Sequence, residues 1–148
     1  MKNQKIGVPF VARLALGCVI FPHGAQNLLG WFGGSGFEAT MTYLTEDVGV
    51  PWVISLLAII VEFLGGLGLI TGTLTRLSAL AVGITMIFTA LLVHLKNGFF
   101  MNWNGSQMGE GFEFHILAIG LAISIVIQGG GILSVDNYLR SKSSLENF

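Results

Sequence analysis

Residues 50–71 read VPWVISLLAIIVEFLGGLGLIT, and this stretch decides the fold. It is apolar throughout except for one carboxylate, Glu62. A helix rises about 1.5 Å per residue, so a run of this length matches the hydrocarbon core of a bilayer. The stretch therefore predicts a transmembrane helix with an ionisable residue inside it.

The composition of the rest of the chain has the same character. The sequence is 53% hydrophobic and 10% charged, with a net charge of −1 and a mean hydropathy of +0.77. Soluble domains carry about 25% charged residues. No basic run is present, which argues against a nucleic-acid partner. The single cysteine, Cys18, excludes an internal disulfide and a CxxC redox pair.

Three further apolar blocks accompany the first one. Together they predict four spans at residues 6–29, 50–71, 76–95 and 112–128. The expected fold is an all-α membrane protein, a four-transmembrane-helix bundle that forms one domain over residues 1–148. In the first outer loop, Phe37, Met41, Leu44 and Val48 recur at helical spacing. This spacing predicts a short amphipathic helix that lies on the outer membrane surface or caps the bundle.

The distribution of basic residues predicts the orientation. The ends that an N-in arrangement places in the cytoplasm carry Lys2, Lys5, Arg76, Arg140 and Lys142, whereas only Lys96 lies at the opposite ends. The outer connections are acidic and carry the tryptophans, as interfacial aromatic belts do. We expect a bacterial-type inner membrane protein with both termini in the cytoplasm and the lipid bilayer as its first partner.

Two opposite charges fall inside the predicted spans at similar depth. Arg13 lies seven residues into the first span, and Glu62 lies nine residues before the turn at Thr71. A charge at the bilayer centre costs about 2.5–3.5 kcal/mol, so each needs a partner. We expect an Arg13–Glu62 ion pair. The alternative is that Arg13 reaches the headgroups while a protonated Glu62 bonds a backbone carbonyl.

A second polar layer lies toward the predicted outer leaflet. All three histidines fall in it, and its candidate ligand-binding residues are His23, Gln26, His94, Glu113 and His115. Such groups could bind a metal, relay protons or hold a quinone headgroup. Every histidine comes from a different helix and no metal-ligand spacing is present, so no metal site is expected. The plainer alternative is hydrogen bonding to headgroups and loop carbonyls.

Small residues line the predicted helix faces. Gly24 in the first span and Gly65 and Gly66 in the second are expected to let the helix backbones approach closely. Asp136, with Ser134 as a helix N-cap, is expected to cap or anchor the C-terminal segment.

Several pieces in order resemble one family. They are Arg13-x3-Gly17, Pro22-His23-Gly24-x-Gln26, Gly30-Trp31-Phe32-Gly33-Gly34, Glu62-x2-Gly65-Gly66-x5-Gly72 with Arg76, His94 with Asn97-Gly98-Phe99-Phe100, Glu113, and Gly131-x2-Ser134-x-Asp136. Over roughly residues 13–139 the chain resembles the DoxX family. The resemblance implies a four-helix membrane domain linked to redox metabolism, with Arg13, His23, Glu62, His94, Glu113 and Asp136 as its marked residues and Gly72 in a structural role. Family members often carry lysine where this chain has Gln26.

The leading functional hypothesis is a redox-associated membrane subunit that binds a quinone or similar small molecule. The alternatives are a non-enzymatic anchor or scaffold for soluble redox enzymes and, third, a small-solute carrier. Because the chain supplies no cysteine pair or flavin motif, an oxidoreductase of this kind would need an electron carrier from elsewhere, either a bound quinone or a soluble or membrane redox protein partner. Whether the chain is itself an enzyme, and whether it forms a homo-oligomer, stays open at this point.

Overall fold

The computed structural model describes residues 7–146, and over that range the chain is all-helical without strands. Its helices are α1 (Val8–Leu29), α2 (Gly36–Thr42), α3 (Trp52–Thr71), α4 (Thr75–Asn97), α5 (Glu113–Gln128) and α6 (Val135–Glu146). By length and composition α1, α3 and α4 can each cross a bilayer, and α5 is a shorter apolar helix. The expected helical membrane bundle is confirmed. Lys2 and Lys5, used in the orientation argument, lie outside the described residues.

The four long helices form a closed ring. α1 packs against α3 and α5, and α4 packs against the same two helices. The largest apolar side chains of the core between them are Leu16, Ile20, Ile59, Leu69, Val82 and Ile125. Other leucines, such as Leu57, Leu80 and Leu117, point outward, where lipid would cover them. Lipid is as apolar as leucine, so the helices must associate through close packing.

Close packing between α1 and α3 depends on glycine. A methyl group at Gly66 would lie 2.6 Å from the backbone nitrogen of Phe21, and one at Gly24 would collide with the backbone of Phe63. Real Cβ atoms do not approach other atoms so closely, and no side-chain rotation relieves a clash with backbone. The two helices therefore touch backbone to backbone at these points, which maximises dispersion contacts in a lipid solvent.

The contact between α3 and α4 is confined to one end of these helices. Gly65 packs against Val82, where an added methyl would lie 2.9 Å from the valine Cγ2. The tight connection then begins at Gly72, whose φ of 75° is a left-handed conformation that favours glycine. The Gly72 N–H donates to the carbonyl of Gly68 at 2.8 Å, which satisfies one of the last carbonyls of α3.

The first connection at the opposite end contains the expected amphipathic helix. In α2, Thr40 and Met41 are buried against the bundle while Glu38 is exposed. The helix continues as a wider π-helical turn over Tyr43–Asp47. α2 packs on both α1 and α3, so it caps the bundle rather than lying apart from it.

A buried guanidinium ties three segments together at one end of the bundle, which we call the arginine end. Arg13 is 0% exposed, and its N–H groups donate to five backbone carbonyls. The acceptors are Leu69 (2.8 Å), Ile70 (2.6 Å), Gly130 (3.1 Å), Ile132 (3.5 Å) and Leu133 (3.0 Å). Two of them end α3 and three belong to the connection between α5 and α6. Since a guanidinium carries five donors, its hydrogen-bonding capacity is filled.

A carboxylate at the same end caps α4. The two oxygens of Asp136 accept the backbone N–H groups of Leu74 and Thr75, each at 2.8 Å, and the Asp136 N–H donates to Gly72 at 3.0 Å. Burial alone would raise the pKa of Asp136, but hydrogen bonds from Thr75 and Leu74 and the charge of Arg140 together lower it. Asp136 therefore anchors the C-terminal segment, which is helical as far as Glu146.

The close approach of α1 and α3 generates a prediction with an internal control. Replacing Gly66 by alanine should lower the free energy of unfolding in detergent by about 1–3 kcal/mol, because the methyl meets the backbone of Phe21. Replacing Gly120, whose added methyl would meet nothing within 4 Å, should leave stability unchanged or raise it by about 0.5–1 kcal/mol. Equal destabilisation by both substitutions would contradict this explanation, because helix propensity favours alanine at both positions and only Gly66 has a backbone in the way.

Candidate functional site

The ionisable residues opposite the arginine end gather where α1 and α4 end and where α3 and α5 begin. We call this the histidine end. It holds all three histidines of the sequence, and Glu62 lies deeper between α1 and α3.

Two of the histidines stack on each other. The ring centroids of His94 and His115 are 4.4 Å apart, with an interplanar angle of 40°. The Nδ1 of His94 is 2.8 Å from the carbonyl oxygen of Glu110, so this nitrogen carries the proton and donates it. In the neutral ring, the Nε2 of His94 is then left as an acceptor.

His115 has an unsatisfied nitrogen in the bundle interior. The residue is 5% exposed, and its Nδ1 is buried without a hydrogen-bond partner among the described residues. An unpaired buried polar group costs about 1–3 kcal/mol, so native structures rarely keep one without a reason. Among the histidine nitrogens within residues 7–146, it is the one that is fully buried and has no hydrogen-bond partner.

Glu62 pairs with an amide instead of a cation. The Nδ2 of Asn27 donates to its carboxylate at 2.7 Å. The expected Arg13–Glu62 ion pair is wrong, because Arg13 spends its donors on carbonyls and the structure shows no contact between the two charges within residues 7–146. The sequence indicated how deep each charge lies along its helix, but not what it binds. Backbone carbonyls are the partners of Arg13, and Asn27 is the partner of Glu62.

α1 lies against both parts of this region. Gly24 of α1 packs against the backbone of Glu62. The adjacent His23 is exposed but close enough to His115 for an electrostatic interaction.

Both α3 and α4 widen where they carry these groups. Glu62 lies in a π-helical turn over Val61–Gly65, and His94 ends another over Ala90–His94. Such turns are rare in α-helices and occur frequently at functional sites, since the extra residue re-aims a side chain. These two turns were not predicted from the sequence, because helix periodicity and hydropathy do not distinguish them from the α-helix around them.

Two of the candidate residues hold loops instead of facing the interior. The amide of Gln26 donates to the carbonyl of Phe32 at 3.3 Å, which fixes the first turn after α1. The Glu113 carboxylate accepts the backbone N–H of Met101 at 2.8 Å. Arg13, as described above, lies at the arginine end. Of the predicted set, the structure therefore brings together His94 and His115, with His23 nearby, while Glu62 pairs separately with Asn27.

An apolar groove opens beside the histidine end. α3 and α4 separate there and leave a groove of about 330 Å³, whose walls include Ile54, Phe88 and Val93. Val93 directly precedes His94 in the chain. The buried hydroxyl-bearing residues Ser55 and Thr85 lie among the apolar wall residues. A hydrophobic molecule could enter such a groove from the lipid.

The donor set does not suit a metal ion. Within the described residues, no group of three histidine, cysteine or acidic side chains is arranged to hold one. The polar groups at the histidine end are the packed imidazole rings of His94 and His115, including the unpaired Nδ1 of His115. Deeper in the bundle lies the Glu62 carboxylate, which is bound to the Asn27 amide.

Four apolar helices around an ionisable interior layer define a helical integral membrane protein with an internal polar site. Residues 8–95 match the DoxX family model, and the chain belongs to the DoxX family. The family resemblance expected from the ordered motifs is confirmed.

Two relatives support this membership. The chain is 33% identical over 118 residues to the inner membrane protein YqjF of Escherichia coli (strain K12), covering 76% of this chain and 82% of that protein. It is 25% identical over 138 residues to the protein named "Putative oxidoreductase CatD" of Bacillus subtilis (strain 168), covering 93% and 90% of the two chains. No solved structure gives a significant match.

The separate partners of Arg13 and Glu62 predict the outcome of a double-mutant cycle. Arg13→Gln should cost at least about 3 kcal/mol of unfolding free energy in detergent, because several buried carbonyls lose their donors. Glu62→Gln should cost about 1 kcal/mol or less, since its amide oxygen still accepts from Asn27. The coupling between the two substitutions should stay below about 0.5 kcal/mol. A larger favourable coupling energy would instead indicate a direct Arg13–Glu62 ion pair.

Proposed function

We propose that this protein is a redox-associated DoxX membrane subunit that binds a quinone, or a similar small aromatic carbonyl compound, at the histidine end. The observation that carries the proposal is the buried Nδ1 of His115, which has no partner in the described chain. If this nitrogen carries the proton, it can donate to a quinone carbonyl. The neighbouring Nε2 of His94 can accept from a quinol hydroxyl.

The surroundings of the histidine pair also suit such a ligand. A quinone headgroup is flat and stacks on imidazole rings, and its tail is apolar. The groove between α3 and α4 offers an apolar path from the lipid to the helical turn that carries His94. The name of the relative CatD contains the word oxidoreductase, which agrees with a redox role. That name describes CatD and not this chain.

Electron transfer in this proposal needs a partner. The sequence holds a single cysteine, Cys18, and so no dithiol of its own. The bound quinone would be the electron carrier, and a soluble or membrane redox protein would deliver or take the electrons.

A scaffold function is the second candidate, and one observation favours it. In the loop between α4 and α5, the Asn102 N–H donates to the Glu110 carboxylate and the Gln107 N–H donates to the Asn102 Oδ1. The loop nevertheless displays Trp103 with 84% of its surface exposed. A rigid loop with an exposed tryptophan is suited to hold a partner protein.

Quinone binding can be measured by quenching of tryptophan fluorescence with decyl-ubiquinone in detergent. His115→Phe keeps a planar ring but removes both nitrogens, so the affinity should fall at least about tenfold, or about 1.4 kcal/mol. The variant should fold at least as stably as the wild type, because it removes an unpaired buried nitrogen.

The matched control is His23→Phe, the same substitution at an exposed histidine of the same end. Its affinity for decyl-ubiquinone should stay within about twofold of the wild type, because only the buried ring would touch the headgroup. Equal quenching in both variants, or no saturable quenching in the wild type, would refute a quinone site at His115.

We also propose that the arginine end faces the cytoplasm of a bacterial inner membrane. Arg76, Arg140 and Lys142 lie at that end, whereas Lys96 lies at the histidine end. Alkaline phosphatase fused after Phe148 should be inactive, and the same enzyme inserted after Ser106 in the loop between α4 and α5 should be active. The reverse pattern would invert the topology.

A further inference from the structure

A second cavity lies at the arginine end, far from the histidine layer. The start of α4, the connection between α5 and α6, and α6 itself enclose a cleft of about 720 Å³. The lining residues that matter here are Leu74, Arg76, Leu77, Gly129, Leu139 and Arg140. Neither the proposed quinone site nor the Arg13 hydrogen bonds use these side chains.

The cleft has an excess of positive charge. Its lining contains two arginines and a single carboxylate, Asp136, whose oxygens already accept the N–H groups of Leu74 and Thr75. Among the side chains that the structure describes, neither Arg76 nor Arg140 forms a hydrogen bond or a direct salt bridge, although Arg140 is close enough to Asp136 for its charge to lower the pKa of that carboxyl.

Arg76 lies along the wall of the cleft. A Cβ at Gly129 would be 3.4 Å from its Nε, so the guanidinium rests on the connection between α5 and α6. Its donors are therefore held near the opening, where an anion would meet them.

One side of the cleft is apolar. Leu74, Leu77 and Leu139 line it and are exposed. Leu77 belongs to the first turns of the transmembrane helix α4, so its side chain lies at the edge of the lipid. A free phosphate ion would leave these leucines exposed, whereas a phospholipid would cover them with its glycerol and acyl chains.

We propose that this cleft binds the phosphate group of an anionic phospholipid. A guanidinium donates two parallel hydrogen bonds to phosphate, and basic pockets between transmembrane helices bind anionic headgroups in this way. The bound lipid would bridge α4 and α6, and it would hold the C-terminal helix at the membrane surface.

The full chain can be tested in nanodiscs of phosphatidylcholine, with and without about 20% phosphatidylglycerol. A ligand that binds the folded state raises Tm, and we expect a rise of about 3 °C or more with phosphatidylglycerol. The double variant Arg76→Gln/Arg140→Gln should lose this rise. The control Lys96→Gln/Lys142→Gln removes the same charge outside the cleft and should keep it. Mass spectrometry of the detergent-extracted protein should find phosphatidylglycerol retained by the wild type and by the control alone.

Several outcomes would overturn the proposal. They are an absent rise in the wild type, an equal loss in both double variants, and an equal rise caused by inorganic phosphate alone in phosphatidylcholine discs. The last result would mean that the ligand is a free phosphate. Should the arginine double variant fail to fold, Arg140→Gln alone changes only the exposed helix α6 and should lose about half of the rise. A full rise in that variant would count against the lipid.

Discussion

The fold depends on the buried guanidinium of Arg13, which forms no direct salt bridge within residues 7–146 and has Asp136 as a more distant opposite charge. In lipid, the carbonyls at the end of a helix have no water to bond, and a cation has none to solvate it. Arg13 resolves both problems at once, because its donors meet the carbonyls of Leu69 and Ile70 at the end of α3 and those that follow α5. The last turn of a helix also carries a partial negative charge, which further compensates the guanidinium. One side chain of α1 thereby fixes the positions of two neighbouring helices.

This closed end permits an irregular opposite end. With α3 and α4 joined by a short turn capped by Asp136, their far ends can diverge and admit a groove. The π-helical turn of α3 includes Gly65, which packs on Val82, whereas the turn of α4 lies beyond this contact. Glu62 and His94 lie in those turns. Local departures from α-geometry therefore occur both at the edge of the helix contact and beyond it, where the ionisable groups are placed.

Hydropathy and small residues were sufficient for the architecture, because a bilayer constrains helix length and backbone bonding so strongly. The four apolar helices and the capping helix α2 followed from them, whereas the family followed from the order of the motifs. Pairings inside the bundle did not follow. Counting residues along each helix placed Arg13 and Glu62 at similar levels. It cannot show which backbone carbonyls lie within reach of a side chain, because this depends on how the connections fold back onto the bundle. For the same reason Gln26 and Glu113 were expected at a ligand and instead bond loop backbone.

The packing of the helix bundle does not require a buried polar group at the histidine end. Gly24 and Gly66 already let α1 and α3 touch, and Arg13 already secures the other helices. A bundle held in this way gains nothing from a buried imidazole with an unpaired nitrogen, which lowers stability instead. A membrane protein that keeps such a group is less stable than one with phenylalanine in its place. Under the proposed function, a bound ligand supplies the missing partner of the His115 nitrogen and offsets that cost.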